Sequence, residues 1–275
     1  DRGPLRNILM DALLPDTIVW DSQFTTMQAQ GEGWLLSFKN GHTAYADIVI
    51  AADGANSRIR PYVTDIQPIY SGITIIEGTI YHAAKNAPDL YTLVNGGKVF
   101  ALSGDHSLIL SAKGDGSLSF YTGTAETEDW LEHCSIDFHS KEQVHQWFCQ
   151  RFSDWSPFWH ELFASDEVSF IPRPQYHFPL DQHWTPKANV TMLGDAAHRM
   201  PPYAGEGVNM AMQDAYELAE CLTGSEFSDI QSAIAAYETQ MCQRAAAVTE
   251  QTLSNTEMLH GEGALSNILK IMQGA

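Results

Sequence analysis

Two short apolar runs constrain this chain more than anything else in it. Asp47-Ile48-Val49-Ile50-Ala51 leads into Ala52-Asp53-Gly54, and Val190-Thr191-Met192-Leu193 leads into Gly194-Asp195. A continuous apolar run is what a strand inside a parallel sheet requires, because both of its faces are covered. In open α/β sheets ligands bind beyond the C-terminal ends of such strands. The glycine beside each aspartate lets the chain turn sharply or lets a ligand approach the backbone. The expected fold class is therefore α/β, with a candidate site where the two runs end.

The rest of the sequence sets the frame. A chain of 275 residues can form one large domain or two ordinary ones. Its formal net charge of −19 argues against nucleic acids and anionic membranes as partners, since phosphate recognition needs a basic face. Cys134, Cys149, Cys221 and Cys242 fall in no CxxC or zinc spacing. His139, His145, His177 and His183 show no metal spacing with carboxylates, so no metal is expected. No apolar stretch is long enough to span a membrane and none reads as a signal peptide, so a cytoplasmic location is expected. The first residue is Asp1 rather than Met, which suggests processing, trimming or a fragment.

Periodicity divides the chain. Leu5, Ile8, Leu9 and Ala12 recur at helical spacing and predict a helix from Asp1 to Leu14, with Pro4 near its start. Thr17–Trp20 and Trp34–Phe38 read as strands, and Asn40-Gly41 as a turn. Strand-like runs at Ile73–Ile80, Lys98–Leu102, Ser107–Ser111 and Ser117–Thr122 predict a mostly antiparallel sheet. Helices are expected at Ser140–Phe152 and Pro157–Phe163, and extended chain at Val168–Pro172 and Tyr176–Phe178. A helix from about Val208 to Leu222 and a longer one from Ile230 to about His260 follow, with another in Gly261–Ala275. Ala233, Ile234, Tyr237, Met241, Ala245 and Val248 form the inward stripe of the long helix. The expected domains are 1–66 with 187–228, an inserted unit at 67–186, and a bridging C-terminal helix at 229–275.

The second run carries the stronger chemical signal. After Gly194-Asp195 come His198, Pro201-Pro202, Tyr203, Gly205, Gly207, Val208 and Asn209, and then the helix. An aspartate there can accept hydrogen bonds from sugar hydroxyls. The two glycines bring backbone N–H groups close to a flat or anionic group, and the helix N-terminus adds positive potential. That combination suits negative charge on a reduced flavin ring. His198 reads as a packed residue rather than a base, and Met192, Met210 and Met212 as core filler. No GxSxG elbow is present, which disfavours a hydrolase. At the first run, Ser57, Arg58 and Arg60 place a hydroxyl and two cations near the strand mouth, a binding feature or an ordinary solvated patch.

These segments resemble the GD and DG motifs of the class A FAD-dependent monooxygenases, the p-hydroxybenzoate hydroxylase-like flavin hydroxylases. Arg2-Gly3-Pro4-Leu5-Arg6 resembles the arginine-bearing helix start of that family. Leu5–Leu9, Asp16–Asp21, Phe152–Trp155 and Gly194–His198 through Pro202 are most similar to its tetracycline-inactivating branch. The resemblance implies a Rossmann-like FAD-binding domain of the GR2 type, an inserted β-sheet substrate domain and a C-terminal helix. It implies FAD as cofactor, NADPH or NADH as a transient reductant, and dioxygen as co-substrate. A flavin C4a-hydroperoxide would hydroxylate a planar aromatic or polycyclic molecule, with a tetracycline-type antibiotic as the leading candidate and antibiotic resistance as the consequence. No protein group is needed as a catalytic nucleophile. The implied cofactor residues are Arg2, Arg6, Asp53, Gly54, Asp195, Pro202, Gly205, Gly207, Val208 and Asn209. The implied substrate residues are Glu77, Lys98, Phe100, Ser119, Pro202 and Tyr203.

The sequence departs from the family in two ways. The GxGxxG βαβ unit that cradles the FAD pyrophosphate is not in it, so the FAD domain is expected to be N-terminally incomplete, with a separate N-terminal segment or chain completing the site. Glu77, Lys98 and Ser119 stand where the tetracycline branch carries a glutamine, an arginine and a histidine. An acid in place of an amide reverses charge preference, which keeps open a phenol or another polyketide as substrate. A remnant without catalysis, acting as a binding module, is the alternative from another class.

Overall fold

The computed structural model describes residues 2–261 and 263–273, apart from the side chains of Arg2, Ile271 and Met272. The chain divides into two compact units. One holds Asn7–Ile69 and Tyr176–Ser254; the other holds Tyr70–Gln175 with the flanking residues up to Arg6 and from Asn255 on. The segment expected to act as a single C-terminal bridge is thus shared between the two units.

In the first unit the two apolar runs become strands β4 (Val49–Ala51) and β10 (Val190–Met192). They pair in parallel, with Val190 opposite Val49 and Met192 opposite Ala51. Met192, Val190 and Ala51 are fully buried, as that pairing demands. Helix α8 (Ile230–His260) presents Ala233, Ile234, Tyr237, Met241 and Ala245 as its buried stripe. The Tyr237 hydroxyl donates to the Met192 carbonyl at 2.9 Å, which pins the helix to β10. A meander of β1 (Phe24–Gln30), β2 (Gly33–Phe38) and β3 (Thr43–Ala46) adds a small antiparallel sheet. The Asn40-Gly41 turn joins β2 to β3, with the Asn40 Oδ1 accepting from the His42 N–H at 3.0 Å.

The second unit is a five-stranded sheet in the order β6-β7-β8-β5-β9. Its strands are β5 (Ile69–Ile80), β6 (Lys98–Ser103), β7 (His106–Ala112), β8 (Leu118–Ala125) and β9 (Val168–His177). One face carries Ile76, Ile80, Leu108, Leu110, Leu118 and Phe120. These pack with α3 (Pro88–Val94), α5 (Lys141–Arg151) and a 3-10 helix, Pro157–Phe163. Gly78 on β5 is required here, since a Cβ would lie 2.0 Å from the Phe120 ring. The Glu161 carboxylate accepts from the N–H groups of Asp89 and Leu90 at 3.2 and 2.7 Å, capping α3. Short helices α2 (Ala83–Asn86) and α4 (Trp130–His133) and the terminal α9 (Ala264–Met272) complete the unit.

Several expectations are corrected. The first helix, α1, spans Arg2–Asp11 and stops short of Leu14. Thr17–Trp20 is not a strand: Val19 and Trp20 are exposed, and Asp16 and Asp21 on either side adopt left-handed backbone angles. Among the described residues nothing covers that apolar pair, so it lacks the packing a strand needs. Pro157–Phe163 forms a 3-10 helix. The two extended pieces from Val168 are one strand, β9, which continues to His177.

Candidate functional site

Parallel pairing sets the Asp53-Gly54 and Gly194-Asp195 turns beside each other at the C-terminal ends of β4 and β10. The Leu193 N–H donates to the Ala51 carbonyl at 2.9 Å, so the ladder runs to the mouth itself. Arg199 then ties the loops together. Its guanidinium donates to the Ala55 carbonyl at 3.3 Å and lies over the Tyr176 ring at 4.7 Å.

The residues expected to contact a ligand at the first turn take different roles. The Asp53 carboxylate accepts from the Arg58 N–H at 2.8 Å and so closes the loop, while the residue itself stays exposed. Ser57 Oγ accepts from the N–H groups of Ile59 and Arg60, which makes it a cap. Arg60 is not a cation at the mouth. It is buried, donates to the carbonyls of Ala196 and Ala197 at 3.0 and 2.9 Å and to Gln182 Oε1 at 2.9 Å, and stacks on Phe178. Burial pulls its pKa down to about 10. It holds the short helix α6 (Asp195–His198) from beneath.

The second turn rests on a buried polar network that sequence reasoning missed. Asp214, on α7 (Gly207–Thr223), is fully buried and accepts from the Gly194 N–H at 2.9 Å and from His198 Nε2 at 2.5 Å. Arg244 donates to Asp214 at 2.6 Å and to Glu217 at 2.6 Å. Burial raises the Asp214 pKa, but the bonds and charges of His198, Gly194 and Arg244 outweigh it and hold the carboxyl below its ordinary range. His198 therefore packs, as its position suggested, and also orients the Gly-Asp turn. The i, i+3 and i, i+4 spacing of Gln213, Asp214 and Glu217 on one helix was a visible signal; the partner on α8 was not.

Above this network the backbone lies open. Gly205 has φ +73° and a Cβ placed there would meet nothing within 4 Å, so a side chain would be strained and would occupy the open surface. A Cβ on Gly207 would lie 4.0 Å from Asp195 Oδ1, which sets that carboxylate against the start of α7. The α7 N-terminus has no side-chain cap and no acidic residue in its first turn. Its free N–H groups suit an anionic or planar acceptor. Pro202, Gly205 and Asn209 are exposed and Tyr203, Gly207 and Val208 half-buried. Asn209 Nδ2 donates to Glu206 at 3.0 Å. Arg6 is exposed on α1, and the Arg2 side chain lies outside the described residues. The open backbone strip, the exposed Asp195 and the uncapped helix fit a flavin nucleotide.

Four of the candidate substrate residues, Glu77, Lys98, Phe100 and Ser119, share one face of the five-stranded sheet, the face opposite its apolar core, while Pro202 and Tyr203 lie in a 3-10 helix of the other unit. Lys98 stands opposite Ser111, Ser111 opposite Ser119, and Ser119 opposite Thr79. The next row on that face runs Phe100, Ile109, Tyr121 and Glu77. Phe100 is 41% exposed and the Lys98 ammonium lies 5.9 Å from its ring centre. Ser119 is buried within the row. Glu77 is not a free acid: Arg173 of β9 pairs with one carboxylate oxygen, and the Tyr121 hydroxyl donates to the other at 3.2 Å. Arg173 was missed because it lies far along the chain, on a strand whose sequence, Val-Ser-Phe-Ile-Pro-Arg, shows little alternation.

The comparisons follow this geometry. The model of the family described as "FAD binding domain" matches residues 9–252. The 6-hydroxynicotinate 3-monooxygenase of Pseudomonas fluorescens is 30% identical over 264 residues, covering 93% of this chain and 64% of that protein. The crystal structure of Klebsiella pneumoniae HpxO complexed with FAD and uric acid matches 99% of this chain and 67% of its own, with a TM-score of 0.73 and 21% identity. The tetracycline destructase Tet(51) matches 99% and 72%, with a TM-score of 0.71 and 20% identity. The chain spans 64% of the length of the 6-hydroxynicotinate 3-monooxygenase, and 54% and 65% of two further curated relatives, a 3-amino-4-hydroxybenzoate 2-monooxygenase and an FAD-dependent urate hydroxylase.

Proposed function

The chain belongs to the FAD-binding-domain family, and from that premise we propose that it serves as an FAD-dependent monooxygenase hydroxylating a planar aromatic or polycyclic substrate. The observation that carries the reading is the pairing of β4 with β10, which brings both glycine–aspartate turns to one strand mouth beside an uncapped helix. FAD, when bound, supplies hydride acceptance from NADPH or NADH and activation of dioxygen.

The chain supplies position and charge. Asp195 accepts hydrogen bonds from the sugar-like hydroxyls of the cofactor, and the Asp53-Gly54 loop, held shut by Arg58, borders it. Pro202, Gly205, Gly207, Val208 and Asn209 line its ring, and the α7 N–H groups stabilise negative charge that develops there. Lys98, Phe100, Ser119 and Glu77 hold the substrate on the polar face of the five-stranded sheet.

The substrate class follows from charge. Arg173 neutralises Glu77, so Lys98 leaves that stretch of the face net positive. This favours a planar ring bearing an ionised oxygen. Tetracycline-type antibiotics have that chemistry and are the leading candidate from the branch resemblance; small aromatic acids share it. The test is turnover with FAD and either NADPH or NADH, reading nucleotide loss and product mass. One oxygen atom added to a tetracycline supports the antibiotic-inactivating reading, and one added to a phenolic or heteroaromatic acid replaces it. Nucleotide oxidation with no oxygenated product from any member of either class would overturn the monooxygenase proposal.

A further inference from the structure

We propose that His145, Cys149 and His160 form a zinc site on the five-stranded unit. His145 and Cys149 are four residues apart on α5 and so project from the same side of the helix. The 3-10 helix Pro157–Phe163 brings His160 to them. His145 Nε2 lies 2.8 Å from His160 Nδ1, and Cys149 Sγ lies 3.6 Å from the same atom. All three ligand atoms fall within 4.8 Å of one another.

Those separations match a metal's needs. Tetrahedral zinc with Zn–N near 2.0–2.1 Å and Zn–S near 2.3 Å sets neighbouring ligand atoms about 3.3–3.6 Å apart. The Cys149–His160 pair is already there, the two imidazoles need to open by about half an ångström, and the His145–Cys149 pair lies within 4.8 Å. The helices that carry them are fixed, because Val144, Trp147, Phe148, Leu162 and Phe163 are buried in the core. The rings are held too. His145 stacks on Phe163 at 4.8 Å and His160 meets Phe148 edge-on at 6.3 Å. All three residues are half-buried.

A bond between two histidines alone needs no third group; the thiol at the third corner is what points to a metal. Nitrogen and thiolate donors together suit zinc. On binding, the Cys149 thiol loses its proton to solvent and the sulfur bonds zinc. The proton between the two rings moves to an outer ring nitrogen. Water fills the fourth position, as in other three-ligand zinc sites. Sequence reasoning found no metal because it sought Cys pairs and His–carboxylate spacing, and this set joins one helix to a second.

The test uses the full chain, freed of metal by chelation, with cobalt(II) and zinc(II) as probes. Cobalt should give a thiolate charge-transfer band in the wild type, and Cys149→Ser should abolish it. Zinc should bind Cys149→Ser and His160→Gln roughly tenfold or more weakly than the wild type. His139→Gln, at an exposed histidine just ahead of α5, should match the wild type. Circular dichroism checks the fold of each variant, and the near-isosteric Cys149→Ser keeps the test sound if His160→Gln does not fold. Cobalt binding without the thiolate band, no binding of either ion, or zinc affinity unchanged within twofold in a folded Cys149→Ser would overturn the proposal.

Discussion

The two regions that carry the candidate chemistry use polar side chains in opposite ways. Beneath the Gly194-Asp195 turn they are buried and spent on the protein itself: Asp214 is fully buried and holds Gly194, His198 and Arg244. On the polar face of the five-stranded sheet they are more open. Lys98 is exposed, and Glu77 and Arg173 keep 20% and 50% of their side-chain surface. The buried network fixes the backbone of the Gly194-Asp195 turn, as the proposed cofactor site requires. An exposed row can change residue by residue at little cost, as a specificity surface must.

The largest way to break that contrast is Asp214→Ala. It leaves Arg244 and His198 without their shared acceptor, and a loss of about 3–5 kcal/mol is expected in denaturant unfolding. The effect has a pH signature. The depressed carboxyl contributes stability that is complete above the ordinary aspartate value of about 4. It is lost as the pH falls through the lower folded value. The stability gap between wild type and Asp214→Asn should therefore be full near neutrality and close in acid.

Gly78→Ala comes next. It keeps the polar face untouched but drives a methyl into the Phe120 ring on the other face, at an expected cost of about 1–3 kcal/mol in thermal unfolding. Its neighbour Glu77→Gln should cost less than about 1 kcal/mol, since the pair with Arg173 is partly solvated. Substrate preference, read as kcat/KM across the two substrate classes, should move instead. If Glu77→Gln destabilised the chain as much as Gly78→Ala, the division between structural and adjustable faces would fail.

The sequence was legible where burial is local. The runs at Val49 and Val190 announce parallel strands, but only β10 is covered on both faces; β4 buries Val49 and Ala51 and leaves Ile50 exposed, so its second face is more open than its composition implied. The stripe from Ala233 to Ala245 announces its helix because it is buried. β1 went unread because Phe24–Gln30 buries Met27 alone, leaving no alternation to see. Thr17–Trp20 was misread because composition resembles a strand while nothing packs on it. The two glycine–aspartate turns were legible as motifs, and their supports were not. Arg60 reads as a surface cation until Phe178, Gln182 and α6 close over it. That Lys98, Phe100, Ser119 and Glu77 share a face depends on the register of four strands, which no local pattern carries.

The most direct measurement is a titration of the full chain with FAD, followed by flavin absorbance and fluorescence, in the wild type, Asp195→Ala, Gly205→Val and Glu77→Gln. The account predicts a shifted flavin spectrum in the wild type. It predicts affinity about tenfold or more weaker in the first two variants, the equivalent of one lost hydrogen bond to a charged group, and unchanged in Glu77→Gln. FAD affinity that is the same in all four chains, or falls with Glu77→Gln alone, would contradict it.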